Sequence, residues 1–468
     1  MEQQNALTAK SFSTHKWWVF LAVGIGTFMS ALDGSVVNTI LPVLRDFFKS
    51  NVASVEWAVV IYLLVVSSLL LTFGRLGDLR GHKGMYVAGF LIFVGASAGC
   101  GLASTVTVLV AARTVQAIGA AMLFANSPAI LTRSFPPQQR GQALGLQAMM
   151  TYLGLTVGPS LGGWLTQSVS WRAVFYINVP VGLLAFTLSL VFIPADKPAA
   201  AQTEHFDWPG AVLFAAGLGA LLLGLNQGDA WGWTSPAVLA CGAAALILLG
   251  SFLRVEMRTP SPMLDLSLFK VRVFSASTAS AVLNYVCLYC VIFLMPFYLL
   301  QGRGLNPAQA GLLLTAQPII MAIVAPISGS FSDRIGSRLL ATVGMVVMAG
   351  GLFLLSSLKP DSANSAILVG LAVTGLGTGI FISPNTSALM GSAPRQRQGI
   401  ASGILATARN VGMVLGVGLA GAILTSMMAS QGAGDQALFT AVHTGLLVGA
   451  GVALVGALIS LVRGSAKS

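Results

Sequence analysis

The chain has 468 residues, of which 55% are apolar and only 8% charged, against about 25% charged in an ordinary soluble domain. So little charge is too sparse to cover a soluble protein of this size, which argues against a water-soluble enzyme and for lipid as the outer solvent. The net charge of +11 makes no nucleic-acid footprint, because Lys and Arg fall in short clusters between apolar runs.

A spanning helix needs about 20 mostly apolar residues. Fourteen such runs are predicted: 17–41, 55–73, 85–103, 107–131, 142–165, 173–193, 208–227, 236–253, 274–300, 309–331, 339–357, 365–388, 400–427 and 439–462. The expected fold class is therefore an all-α membrane protein with 14 transmembrane helices. The N-terminus is polar through Lys16 and the first run is long enough to span, so no cleavable signal peptide is expected. Alternate loops put eighteen of the 25 basic residues on one face, among them Lys16, Arg75, Arg80, Lys83, Arg133, Arg140, Arg334 and Arg338. The other face receives Arg45, Lys49, Arg172, Arg303 and Lys359, while Arg113 and Arg409 lie inside spans. Positive charge stays inside, so both termini are expected in the cytoplasm and the protein in the cytoplasmic (inner) membrane.

The chain also repeats itself. Gly74, Asp78 and Gly81 map onto Gly329, Asp333 and Gly336 by adding 255. Gly141, Gly145, Gly154 and Gly158 map onto Gly399, Gly403, Gly412 and Gly416 by adding 258. Both copies fall on the same predicted face, so the repeat is parallel, with its axis along the membrane normal. The expected layout is a cytoplasmic tail (1–16), a six-helix half (17–195), a linker with two extra spans (196–271), a second six-helix half (272–463) and a short tail (464–468).

Several motifs carry chemistry. Asp33 lies mid-way in the first run. A carboxylate at that depth costs roughly 2.5–3.5 kcal/mol on insertion scales. Such a group usually faces a cavity and suits a carrier that takes and releases a proton; alternatively a helix partner such as Arg113 simply holds it. Arg113, inside the fourth run, needs partners for the same reason and is paired with Asp33 as the proton-coupling candidate. The loops Gly74-Arg-Leu-Gly-Asp78-Leu-Arg80-Gly81 and Gly329-Ser-Phe-Ser-Asp333-Arg334-Ile-Gly336 read as gates: glycine permits a tight turn, and each Asp is suited to cap a neighbouring helix N-terminus. Glycine at every fourth position in Gly154-Leu-Thr-Val-Gly158-Pro159-Ser-Leu-Gly162-Gly163 makes a smooth face for close helix contact. Pro159 removes a backbone hydrogen bond, and together these residues predict a packed, bendable element between the halves. Candidate lining of a midplane cavity is Asn38, Tyr62, Gln116, Asn126, Tyr152, Asn284, Tyr285, Gln317, Asn385 and Arg409, each read alternatively as a helix–helix contact. Arg409 has the further option of reaching toward one end of its helix. Trp231 and Trp233 are expected at the outer interface.

Other patterns carry no chemistry. Cys287-Leu-Tyr-Cys290 lies within a span without nearby His or acidic ligands, so no metal site is expected. Gly375-Leu-Gly377-Thr-Gly379 has no βαβ setting, and no GxxxxGK[ST] loop occurs. No catalytic residue and no cofactor is expected, so the energy is expected from a gradient or from another subunit.

With these motifs in hand, the chain resembles a major facilitator superfamily transporter of the fourteen-span drug:proton antiporter family, over nearly its whole length. Gly74 to Lys83 resembles the superfamily loop signature, with 329–338 as its echo. Leu109 to Ala121 resembles the fourth-helix signature with its buried Arg. Gly154 to Gly163 matches the antiporter signature, and Leu32 to Pro42 and Trp171 to Gly182 resemble segments of the fourteen-span family. Leu79, Ala117 and Ser35 depart from the usual Arg, Gly and Thr. The resemblance implies two six-helix bundles plus two linker helices, and proton-coupled antiport that exports amphipathic, cationic drugs or toxic compounds by alternating access. Asp33 is the only carboxylate deep in a span, which counts against dications. The expected partners are the small-molecule substrate, protons and the bilayer, with the monomer as the working unit. Alternatives are a dedicated exporter of an endogenous metabolite, an uptake symporter and a non-transporting receptor or scaffold.

Overall fold

The structure is a computed structural model that describes residues 2–195, 205–232, 234–260, 262–431 and 435–463. Trp233 and the tail 464–468 lie outside the described residues. Among the described residues the chain is helical throughout its long segments, with no strand. In chain order the helices are α1 Glu2–Phe48, α2 Val52–Arg80, α3 His82–Gly101, α4 Val106–Ser134, α5 Arg140–Ser168, α6 Ala173–Tyr176, α7 Asn178–Phe192, α8 Trp208–Asn226 and α9 Gly228–Trp231. They continue with α10 Pro236–Glu256, α11 Arg272–Pro296, α12 Pro307–Leu314, α13 Ala316–Ile335, α14 Ser337–Ser356, α15 Asn364–Ser392, α16 Gln398–Gln431 and α17 Asp435–Val462.

Among the described residues, thirteen helical stretches are long and apolar enough to cross a membrane. The fourteenth, α5, is 29 residues long, but its glycines and its glutamines at 142, 147 and 167 dilute its hydropathy. Two findings differ from the sequence reading. The helix α1 starts at Glu2 rather than after a separate polar tail; Glu, Gln, Ala, Leu and Lys, which dominate the first ten residues, all favour helix. The sixth span is broken into α6 and α7 at Ile177. Pro180 has no N–H to offer the Tyr176 carbonyl four residues back, so the ladder opens there. The same logic separates α12 from α13 at Thr315, four residues after Gly311 and three before Pro318.

The chain divides into two compact units. One comprises Met1–Pro137, Met150–Leu266 and Ala393–Ala406; the other comprises Gln138–Met149, Ser267–Ser392 and Thr407–Ser468. The start of α5 thus belongs with the second unit and the start of α16 with the first. Turns between consecutive helices are sharp. Gly81, between α2 and α3, has φ 98°, and Gly336, between α13 and α14, has φ 86°. Side chains are strained at such values, so glycine is required at both places.

Candidate functional site

The first unit holds a closed polar network in an apolar core. Asp33 of α1 and Arg113 of α4 are both fully buried and form an ion pair through Arg113 Nη1 and Asp33 Oδ2. The other carboxylate oxygen, Oδ1, accepts from Gln116 Nε2 at 3.0 Å and from Asn178 Nδ2 at 2.8 Å. Ser97 Oγ of α3 accepts from the same two amides, at 2.6 and 3.2 Å. Arg113 also donates from Nε to the Ala58 carbonyl of α2 at 2.9 Å, and from Nη1 to Gln116 Oε1 at 2.8 Å. Its guanidinium stacks 4.1 Å from the centroid of Tyr62, whose hydroxyl donates to the Ser30 carbonyl at 3.1 Å. Five helices meet here, and Val36, Val37, Val55, Leu109, Val174 and Phe175 form a buried apolar cluster in the same unit. Arg113 Nη2 is buried with no hydrogen-bond partner. An orphan charged donor in an apolar core is costly, so the network is one donor short of satisfied.

This arrangement corrects the expectation that Asp33 faces a cavity: in this structure its lone pairs are occupied by Arg113, Gln116 and Asn178, and no surface is left. The anionic contact expected for a cationic substrate is accordingly not available at Asp33. Asn178 and Ser97 escaped the sequence reading as site residues. Asn178 did carry a signal, since it is polar in an apolar run and sits two residues before a span-breaking proline. Ser97, a small hydroxyl among glycines and alanines, carried none.

The loop aspartates each meet a helix N-terminus. Asp78 accepts from the Gly399 and Ile400 amides of α16, both at 2.8 Å. Arg133 approaches Asp78 Oδ1 at 3.4 Å and donates to the Arg395 carbonyl at 2.6 Å. Within the second unit, Asp333 accepts from the Gly141 and Gln142 amides of α5 at 2.8 and 2.9 Å. Backbones nearly touch beside both carboxylates: a Cβ on Gly74 would collide with the Gly399 carbonyl, and one on Gly329 with Gly141. The loops also differ at the start of the following helix. His82, almost fully buried, packs between Asn126 Oδ1, 2.7 Å from its Nδ1, and Asp78 Oδ1, 3.3 Å from its Nε2; the repeat puts Ser337 at the corresponding place. Arg80 and Arg334 are exposed at the ends of α2 and α13.

The glycine face of α5 seats on α1 within the first unit. A Cβ on Gly154 would stand 2.6 Å from the Phe28 carbonyl, and one on Gly158 3.2 Å from that of Leu32. Gly162 abuts Val36, whereas nothing lies within 4 Å of a Cβ on Gly163, and Pro159 is exposed. The expected contact between halves is therefore, for Gly154, Gly158 and Gly162, a contact with α1. The second unit repeats it: Gly412 and Gly416 of α16 seat on the Val282 and Val286 carbonyls of α11.

Of the ten cavity candidates, seven are buried: Tyr62, Gln116, Asn126, Tyr152, Asn284, Gln317 and Asn385. Their partners are internal. Asn284 Nδ2 points at the Met345 and Met348 sulfurs, Gln317 donates to Thr374 at 3.3 Å, and Asn385 donates to the Ser277 carbonyl at 2.9 Å. Only Asn38, exposed, and Tyr285 and Arg409, half-buried, keep surface for a ligand.

A polytopic all-α chain with a duplicated loop-and-glycine-helix plan and charges buried at mid-depth has the build of a membrane transporter. The Major Facilitator Superfamily model matches residues 23–208 and 277–467, and the chain belongs to that superfamily. It is 37% identical over 402 residues to the riboflavin transporter RibZ of Clostridioides difficile, covering 86% of each chain. It is 31% identical to the multidrug resistance protein Stp of Mycobacterium tuberculosis, over 87% of this chain and 76% of the relative. Among solved structures, the proton:xylose symporter XylE superposes with a TM-score of 0.66 at 15% identity, over 95% of each chain, a likeness of fold.

Proposed function

We propose that this transporter exchanges external protons for an internal amphipathic small molecule. The observation that carries this reading is the Asp33–Arg113 pair, the one carboxylate at mid-span and the guanidinium that neutralises it, both sealed from water and lipid. A proton on Asp33 would remove the charge that holds Arg113, while the amides of Gln116 and Asn178 would remain to keep the carboxyl in place. Coupling then runs through the packing of α1 against α4 and not through direct competition for Asp33. Each ligand shifts the equilibrium between access states only by its differential affinity for them. The Asp78 and Asp333 contacts with helix N-termini are the ones an alternating-access cycle would make and break on the side bearing the termini, which the excess of basic loops assigns to the cytoplasm. The multi-pass protein would work as a monomer in the bacterial inner membrane, without a cofactor.

The name of the Mycobacterium relative supports drug export. The 37% identity to a chain named a riboflavin transporter favours a second reading, transport of an endogenous metabolite by the same mechanics. Proteoliposomes with an imposed pH gradient test the coupling. Wild type is expected to concentrate a drug or flavin against its gradient, and Asp33→Asn to permit only passive equilibration. Gradient-driven accumulation by Asp33→Asn equal to wild type would refute the assignment.

A further inference from the structure

The two helices inserted between the halves, α8 and α10, meet at one end in two acids that the transport reading does not use. Both helices lie in the first unit and pack closely. The Phe214 and Phe252 rings stand 5.2 Å apart, and a Cβ on Gly217 would stand 2.9 Å from Leu249 Cγ. This antiparallel packing brings Asp207, the residue ahead of α8, to Glu256, the last residue of α10. Both side chains are buried, at 6% and 3% exposure. Burying one carboxylate is costly, and a second charge of the same sign beside it raises the cost.

Each acid has one oxygen in use and one left over. Asp207 Oδ1 caps α8 by accepting from the Gly210 amide at 2.9 Å. Glu256 Oε2 accepts from the Leu264 amide at 3.1 Å. Asp207 Oδ2 and Glu256 Oε1 are sealed from solvent and have no hydrogen-bond partner among the described residues. Both point at the same spot: a Cβ built on Gly210 would collide with the first and stand 3.0 Å from the second. Two anionic oxygens cannot satisfy each other, since neither has a proton to donate. One proton changes that. A protonated carboxyl donates its O–H to the other acid's oxygen, which satisfies both and leaves a single charge. The charged group that α2 brings to the pair is the buried Arg75; His205, Arg254 and Arg258 nearby in sequence are exposed.

We propose that Asp207 and Glu256 bind one proton between them, and that this shared proton helps to hold the N-terminus of α16 in its closed contact with Asp78. The path is short and stays within the first unit. Glu256 holds the Leu264 amide. The next residue, Asp265, pairs with Arg397, Nε to Oδ2 at 3.4 Å. Arg397 stands two residues before Gly399, whose amide donates to Asp78. With the proton present, the two acids bind each other and the segment 256–265 is fixed. Without it they repel, Glu256 turns away, and Leu264 and Asp265 lose their anchor. The pair lies on the side that the excess of basic loops assigns to the cytoplasm, so it reads acidity there. It is a proton site separate from Asp33, and it gives the inserted helices a task.

Two measurements on the purified full-length protein in detergent test this, and neither needs transport. Infrared difference spectra between mildly alkaline and mildly acid pH should show the C=O stretch of a protonated carboxyl in wild type. That band should vanish in both Glu256→Gln and Asp207→Asn and persist in Asp33→Asn. The second readout is maleimide labelling of a cysteine placed at Gln398, in a background lacking the native cysteines. Raising the pH should increase labelling at least about five-fold more with Glu256 intact than in Glu256→Gln, whose amide supplies the missing donor at every pH. Comparing the two cancels the ionisation of the thiol itself. Asp207→Asn keeps a capping side chain and should behave as Glu256→Gln does, so one variant stands in if melting curves show the other unfolded. No carboxyl band in wild type, a band that survives in both variants, or labelling with the same pH dependence throughout would overturn the proposal. Loss of the wild-type band on adding Mg2+ at constant pH would put a cation between the acids in place of the proton, and would overturn it equally.

Discussion

Asp33 and Arg113 in the first unit and Arg409 in the second are ionisable side chains within spanning helices, and their burial differs. Asp33 and Arg113 are fully buried, neutralise each other and are ringed by the amides of Gln116 and Asn178 and the hydroxyl of Ser97. Arg409 of α16 is only half-buried and keeps surface. Yet the helix contacts that position these groups are the same in kind: Gly154 and Gly158 seat α5 on α1 as Gly412 and Gly416 seat α16 on α11. A duplicated scaffold therefore carries two different electrostatic designs. The copy with the sealed internal ion pair suits a proton-dependent switch.

The comparison breaks most readily at the buried pair. Arg113→Ala strands the Asp33 charge in an apolar core and should cost about 3–5 kcal/mol, seen as a large fall in the melting temperature in detergent. Adding Asp33→Asn to it should recover much of that loss. If the double variant melts no higher than Arg113→Ala alone, the pair is not what holds Arg113 in place. Packing comes next. Gly154→Val would drive methyl groups into the Phe28 carbonyl and the Leu32 amide, at about 1–3 kcal/mol, whereas Gly163→Ala, with open space around it, should be silent; equal effects would show that the glycine face is not the contact surface. Asp78→Asn removes the charge at the α16 N-terminus, worth about 1 kcal/mol, and so should raise maleimide labelling of a cysteine placed at the buried Gln398 several-fold, in a background lacking the native cysteines. Asp333→Asn should leave that site unchanged, since its partners are Gly141 and Gln142. The smallest effect belongs to Gln317→Ala. Its hydrogen bond to Thr374 is internal, so stability should fall by about 1 kcal/mol or less while transport affinity stays at the wild-type value in an uptake assay.

Much of the fold was legible, because spanning the bilayer leaves a long apolar signature and the repeat offsets survive in glycine and aspartate positions. Every predicted span falls on helix, although the spans 173–193 and 309–331 are each broken in two, at Ile177 and Thr315. The break at Ile177 was less visible, although Pro180 announces it once its missing N–H is traced to Tyr176. The site was legible in its charged members. Asp33, Arg113, Asp78 and Asp333 stand out because charge is so rare in this chain. Which polar residues keep surface was not legible: Gln317 and Tyr285 look equally suited to a cavity in sequence, and only the rotation of their helices buries the one against Thr374 and leaves the other half-buried. Asn178 and Ser97 illustrate the same limit, since their importance lies in a convergence of α3 and α7 on Asp33 that no local pattern encodes.

The central claim, that Asp33 carries the coupled proton while the substrate is held elsewhere, is tested most directly by proton release on substrate binding. Purified protein in a weakly buffered solution with a pH indicator is mixed with a transported substrate. Wild type is predicted to release protons on binding. Asp33→Asn should bind and release none. Proton release from Asp33→Asn matching wild type would contradict the account and move the coupling site to another residue.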